Sequence, residues 1–211
     1  MKEKEKIIRV NPQNPRHPRS ENKTMVIIGI TGTLGAGKGT IVDYLVEEKG
    51  FKHYSVRAFL LEKIRELGLP ENRDSMFNLA NELRSVHGPS YVTDQLYEEA
   101  LKSGKNCIIE SIRTPGEIES LREKENFYLF AVNADPRIRY ERITIRQSET
   151  DQIPFAIFLE NEAREMDATD PNKQNLGKCM AAADFLFQNN GSKEDLILQV
   201  ENTLQEINRK K

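Results

Sequence analysis

Apolar residues along the chain fall into two kinds of run. Met25–Ile30, Cys107–Ser111 (apolar through Ile109) and Phe127–Val132 read as strands buried on both faces. Phe51–Val56 and Asp184–Asn189 add two further strands. Between them the spacing changes to that of helices. Ile41, Val42 and Leu45 form one stripe, and Phe59, Leu60, Leu61 and Ile64 another. Leu79 to Val86, Val92 to Leu101 and Ile138 to Ile145 repeat the pattern, as do Phe158 to Met166, Leu176 to Ala182 and Leu196 to Ile207.

Punctuation residues divide these runs. Gly50 stops the first helix, and Gly68, Pro70 and Gly88-Pro89-Ser90 break the block 57–103 into three helices, the second capped by Asp74 or Ser75. Thr114-Pro115 and Asp135-Pro136 each join a cap to a proline at the first helical position. Pro154 opens a further helix, and Ser192 caps the last one. Five strands alternating with helices predict an α/β fold, a three-layer sandwich around a five-stranded parallel sheet. Residues 24–211 are read as one domain. Residues 1–23 are polar and proline-rich and read as a tail, with a short strand at Lys6–Val10 or a partner-binding arm as its structured options.

Composition narrows the function. The 211 residues hold 31 basic and 33 acidic side chains, so no general nucleic-acid binder is expected. Charged residues make up 30% and aromatics 7%, which fits a soluble protein. Cys107, Cys179, His17, His53 and His87 lack metal-ligand spacing and read as buried thiols and surface or tail imidazoles. The amino terminus has no apolar signal core and no run is long enough to span a bilayer, so a cytoplasmic protein, monomer or homodimer, is expected.

The chemistry concentrates in Gly32-Thr33-Leu34-Gly35-Ala36-Gly37-Lys38-Gly39-Thr40, between the first strand and its helix. Glycines leave room for a phosphate against the backbone. The loop N–H groups and the helix N-terminus supply partial positive charge, and Lys38 supplies a full one. Thr40 offers a hydroxyl to a phosphate oxygen or its magnesium ion. Gly32, Gly37 and Lys38 meet the pattern G-x-x-x-x-G-K-[ST], except that Gly39 fills the last slot and Thr40 follows it. Asn172-Lys173-Gln174-Asn175 looks like a guanine-reading motif but ends in an amide, and no Asp-x-x-Gly exists to sense a γ-phosphate.

The loop resembles that of adenylate kinase and its relatives, the P-loop nucleoside monophosphate kinases. Together with Asn81-Glu82-Leu83-Arg84, Glu110-Ser111-Ile112-Arg113 and Ala183-Asp184-Phe185, it is most similar to the nucleotide-kinase-like proteins described as similar to dephospho-coenzyme A kinase. The resemblance covers about residues 25–207 and implies the fold of the P-loop nucleoside triphosphate hydrolases, with ATP and Mg2+ as cofactors and a small nucleotide as substrate. Gly32, Thr33, Gly35, Ala36, Gly37, Lys38, Gly39 and Thr40 would hold the donor phosphates. Glu110 stands where the family has the aspartate of Asp-Gly-Phe-Pro-Arg, and with Thr40 it would serve the metal. Arg113 keeps that motif's arginine, which grips the acceptor phosphate.

Arg142 and Arg146, one turn apart, resemble the arginine pair that opens the family's lid, here about residues 147–175, with Arg164 inside it. Arg139 reads as part of a solvated helix face. Asn190 lies in the turn that faces adenine in the family. Arg57, Arg84 and Gln95 are acceptor-side candidates in the block 57–103, while Leu61 stands near where the family carries an arginine. Three functions stay open: a nucleoside or deoxynucleoside monophosphate kinase, a dephospho-coenzyme A kinase-like enzyme using Glu110 as base, and a nucleotide-binding regulatory module.

Overall fold

Five parallel strands form one sheet in the order β2-β3-β1-β4-β5. They are β1 (Ile27–Gly32), β2 (Lys52–Ser55), β3 (Cys107–Glu110), β4 (Phe127–Asn133) and β5 (Phe185–Gln188). The computed structural model describes residues 25–124, 126–146, 153–170 and 172–209. The polar tail 1–23, His17 and the first part of the expected lid lie outside the described residues. Helices α1 (Lys38–Glu47) and α9 (Lys193–Arg209) cover one face of the sheet. The other face carries α2 (Val56–Glu66), α3 (Arg73–His87), α4 (Tyr91–Ser103), α5 (Pro115–Arg122) and α8 (Leu176–Ala181). Helices α6 (Pro136–Arg146) and α7 (Phe155–Met166) follow β4 at the carboxyl edge.

The central strand explains the long apolar runs. All six residues of β1 are buried, and Ile27 is in register with Cys107 on one side and Phe127 on the other. Alternate residues then face opposite layers. Ile27, Ile109 and Leu129 join the α2–α5 layer; Ile28, Ile30 and Phe130 join the α1–α9 layer. Each fully buried Ile, Leu or Phe contributes about 1.5–3 kcal/mol, so the sheet is anchored from both sides.

The local signals acted largely as expected. Thr114 and Glu117 form a reciprocal capping box with Pro115 in the first turn. Ser192 Oγ accepts from the Asp195 amide at 3.1 Å. One cap is corrected: Asn72, not Asp74 or Ser75, starts α3, its Oδ1 accepting from the Ser75 amide at 2.8 Å. A capping side chain must precede the helix on extended backbone, as Asn72 does; Asp74 lies inside the first turn. No described helix is long and apolar enough to cross a membrane.

Candidate functional site: a phosphate loop beside a cationic cavity

The order β3-β1-β4 opens a crevice at the carboxyl end of β1, because the chain leaves β1 toward different neighbours on its two sides. The glycine loop fills it. Gly32 has φ +140°, and a Cβ there would stand 2.2 Å from the Val132 carbonyl oxygen. Gly37, the N-cap of α1, has φ +108°, and a Cβ would meet Asn189 Nδ2 at 2.3 Å. Only glycine is accommodated at either position. A Cβ at Gly39 would have nothing within 4 Å, so packing does not require glycine there. α1 opens with no side-chain cap and no acid in its first turn, which leaves its N-terminal dipole for an anion.

Lys38 closes the loop on itself. Its Nζ donates to the carbonyls of Gly32 and Thr33, both at 2.9 Å. Burial pushes the ammonium down to about 8, with Arg113 and Arg146 adding to the shift and Glu110 and Glu165 opposing it. Asn189 Nδ2 donates to the Ala36 carbonyl at 2.8 Å, and Thr33 Oγ1 to Asn133 Oδ1 at 3.0 Å, tying the loop to β4 and β5.

Glu110 stands at the end of β3, where the charges of Lys38 and Arg113 act on it. His53, on the neighbouring strand β2, lies 3.3 Å from its carboxylate. Burial alone would raise the Glu110 pKa, but the His53 hydrogen bond and the charges of Lys38, His53 and Arg113 outweigh it and hold the carboxyl below its usual range. His53 is therefore a partner of the site rather than an idle surface imidazole. Ser111, next in the chain, has φ +74°. It occupies the left-handed region where the adenylate kinase-like motif has glycine. The Ser111 and Ile112 amides both donate to the Ile30 carbonyl at 3.1 Å, which aims the chain toward Arg113.

Beside the loop lies a cavity of about 380 Å³. Its apolar wall comes from α2 and α3, through Val56, Leu60, Met76, Phe77 and Ala80. Arg57, Arg84, Arg113 and Arg146 line it as cations. Arg113 is held by Glu165 at 2.8 Å and Gln174 at 3.0 Å. Arg84 is buried and pairs with the fully buried Glu117 at 3.2 Å. The other oxygen of Glu117 accepts from the amides of Arg113 at 2.6 Å and Thr114 at 2.9 Å. Glu117 thus holds the guanidinium of Arg84 and the backbone of Arg113. The Thr114-x-x-Glu117 spacing is a capping-box signal, but the pairing of Glu117 with α3 is tertiary.

The arginines of α6 divide. Arg142 Nη1 donates to the Asn189 carbonyl at 2.9 Å, and Nη2 reaches the Gly191 carbonyl at 3.4 Å, so this side chain lies on the turn after β5. Asn190 Oδ1 in that turn accepts from the Asp135 amide at 2.7 Å. Arg146 instead lines the cavity. Arg139 is corrected: it is 2% exposed, not on a solvated face. Its guanidinium pairs with Glu162, donates to the carbonyls of Ala134 and Leu34, and lies over the Phe158 ring. It joins the phosphate loop to α7, and it was missed because helical spacing says nothing of what α7 covers. Arg164 is exposed, bonds Asn161 and does not line the cavity. Gln95 is likewise absent from the cavity wall.

A magnesium ion finds few protein ligands here. No group of three His, Cys, Asp or Glu side chains among the described residues is placed to bind a metal. Thr40 and Glu110 suit an ion whose other ligands are phosphate oxygens and water. Cys107 and Cys179 are buried, with burial pushing both thiols up to about 12, so neither is a nucleophile.

A parallel sheet in this order, with a lysine-tipped glycine loop after its central strand, is the P-loop kinase-like fold. The chain belongs to the AAA domain family, whose model matches residues 28–170, and to the UPF0200 proteins, being 30% identical over 186 residues to that of Methanocaldococcus jannaschii, across 87% of this chain and 91% of the relative. Among solved structures it is similar to TT1252 from Thermus thermophilus, with TM-score 0.56 and 23% identity over 87% of this chain and 98% of that one. It is similar also to the shikimate kinase of Bacteroides thetaiotaomicron, with TM-score 0.55 and 13% identity over 87% of this chain and 99% of that one. These two likenesses concern the fold.

Proposed function

We propose that the protein transfers a phosphoryl group from ATP to a small nucleotide, a nucleoside or deoxynucleoside monophosphate. The observation that carries this reading is the adjacency of two unlike sites. The loop that suits a triphosphate borders a cavity with an apolar wall and four arginines, and Leu34 belongs to both. Phosphoryl transfer asks for positioning and positive charge rather than covalent chemistry. Lys38 would leave its carbonyl partners for the donor phosphates. Arg113 and Arg146 would draw the acceptor phosphate in line and offset the charge that builds up between the two anions. Thr40 and Glu110 would hold Mg2+, which neutralises donor phosphate charge. α7, joined to the loop through Arg139, would shield the site from water.

An acceptor phosphate suits the site better than an acceptor hydroxyl. A hydroxyl needs a general base, and Glu110 is held below the usual carboxylate range, so it takes up a proton poorly. An acceptor phosphate is already an anion. The test is ADP release from ATP and magnesium with a panel of nucleoside monophosphates and with dephospho-coenzyme A. Release that depends on a monophosphate supports the reading. Release with dephospho-coenzyme A alone, or tight ATP binding without acceptor-dependent release, contradicts it.

A further inference from the structure

Buried side-chain polar atoms without a hydrogen-bond partner are costly, and proteins keep few of them. Among the described residues there are three, and all belong to one turn of α3: Asn81 Oδ1, Arg84 Nε and Arg84 Nη1. Asn81 and Arg84 are three apart and so share a helix face. Arg84 lines the cavity and is 2% exposed; Asn81 is not itself on the cavity wall but stands one helical turn beyond the lining residue Phe77, on the same face. The charge of Arg84 is already balanced by Glu117 through Nη2, so what stays open is hydrogen-bonding capacity rather than charge.

We infer that this face of α3 recognises the heterocyclic base of the acceptor, Arg84 donating to a ring nitrogen or carbonyl oxygen and Asn81 Oδ1 accepting from an N–H beside it. The inference rests on the nucleotide-acceptor reading above and deepens it. Three observations favour a base over an anion at this point. Asn81 offers an acceptor, which a phosphate or carboxylate cannot satisfy. A further full negative charge would stand close to the buried Glu117 carboxylate, 3.2 Å from Arg84. Met76, Phe77 and Ala80, on the same helix, and Val56 and Leu60, on α2, supply apolar surface for the faces of a flat ring. Arg57, Arg113 and Arg146 line the same cavity and would meet the phosphate.

The test is calorimetric binding to the full chain of AMP, GMP, CMP, UMP and dTMP, with ribose 5-phosphate as the same anion lacking a base. At least one nucleotide is expected to bind about tenfold or more tighter than ribose 5-phosphate, the worth of one good hydrogen bond or more. Asn81→Leu and Arg84→Lys should each remove about tenfold of that preference while leaving ribose 5-phosphate binding within about twofold. The lysine keeps a cation for Glu117, and Asn81→Leu provides an independent check should Arg84→Lys unfold the protein. All ligands binding alike, none binding, or the preference surviving in every folded variant overturns the inference. So does an equal loss of ribose 5-phosphate binding, which would make Arg84 a phosphate clamp. ADP release measured on the same ligands separates the two readings. A base preference without release overturns the kinase reading alone; release driven equally by ribose 5-phosphate overturns the base reading alone.

Discussion

The two sides of the crevice handle their polar groups in opposite ways. On the phosphate-loop side, Lys38 rests on the Gly32 and Thr33 carbonyls, Thr33 on Asn133 and Ala36 on Asn189. On the α3 side, a buried amide oxygen and two guanidinium nitrogens stand open. A triphosphate tail is the same whatever molecule carries it, so a loop for it can be built from backbone and held ready. A selective site has to leave some of its hydrogen bonds for the ligand to complete. On the loop side Lys38 thus rests on the loop's own carbonyls while the start of α1 stays uncapped, whereas the α3 side keeps buried polar atoms unpaired.

The strongest way to separate the two sides is Glu117→Ala. It strands Arg84 in the core and removes the acceptor for two amides. Urea denaturation should show a loss of about 3–5 kcal/mol, while the folded variant keeps its ATP affinity. A loss below about 1 kcal/mol would mean that the pair does not hold the α3 side together.

Next in size is the pH response of Lys38, whose pKa falls from 10.5 to about 8 on folding. Because the folded chain holds this proton less tightly than the unfolded one, the group opposes folding below pH 8. That opposition fades as the pH rises from about 8 to 10.5, so its contribution to stability increases with pH there. A bound triphosphate restores the proton. ATP binding is thus expected to take up a proton near pH 8.5 and to weaken toward about tenfold per pH unit above pH 8. Calorimetry in two buffers of different ionisation heat reads this directly, and an uptake abolished in Lys38→Ala assigns it.

The smallest effect is expected at Ser111, whose φ of +74° costs a residue with a Cβ. Ser111→Gly should raise stability by up to about 1 kcal/mol, seen as a higher urea midpoint. An unchanged or lower midpoint would show that the serine side chain repays the strain locally.

Legibility in the sequence followed the same division. The loop was readable because its requirements are local: glycine where a Cβ would strike the Val132 carbonyl or Asn189, and lysine at a fixed distance along the chain. The parallel sheet was readable because β1, β3 and β4 are buried on both faces and so lose the alternation of a half-exposed strand. Arg139 was not readable, since its burial depends on Glu162 and Phe158 of α7 and on Leu34, more than a hundred residues away. Nor was the contact of His53 with Glu110, which arises only because β2 pairs with β3 in the register Ser55 to Glu110. The family resemblance made Arg84 an acceptor-side candidate, but its open nitrogens appear only once Glu117 has taken Nη2.

The central claim is that the loop holds a triphosphate through its backbone donors and Lys38. It is tested most directly by titrating ATP with magnesium into the wild-type protein and into Lys38→Ala at pH 7. The account predicts a folded variant whose Kd is raised about 10–100-fold, the worth of a charge-assisted hydrogen bond. An unchanged Kd in a folded Lys38→Ala protein would contradict it.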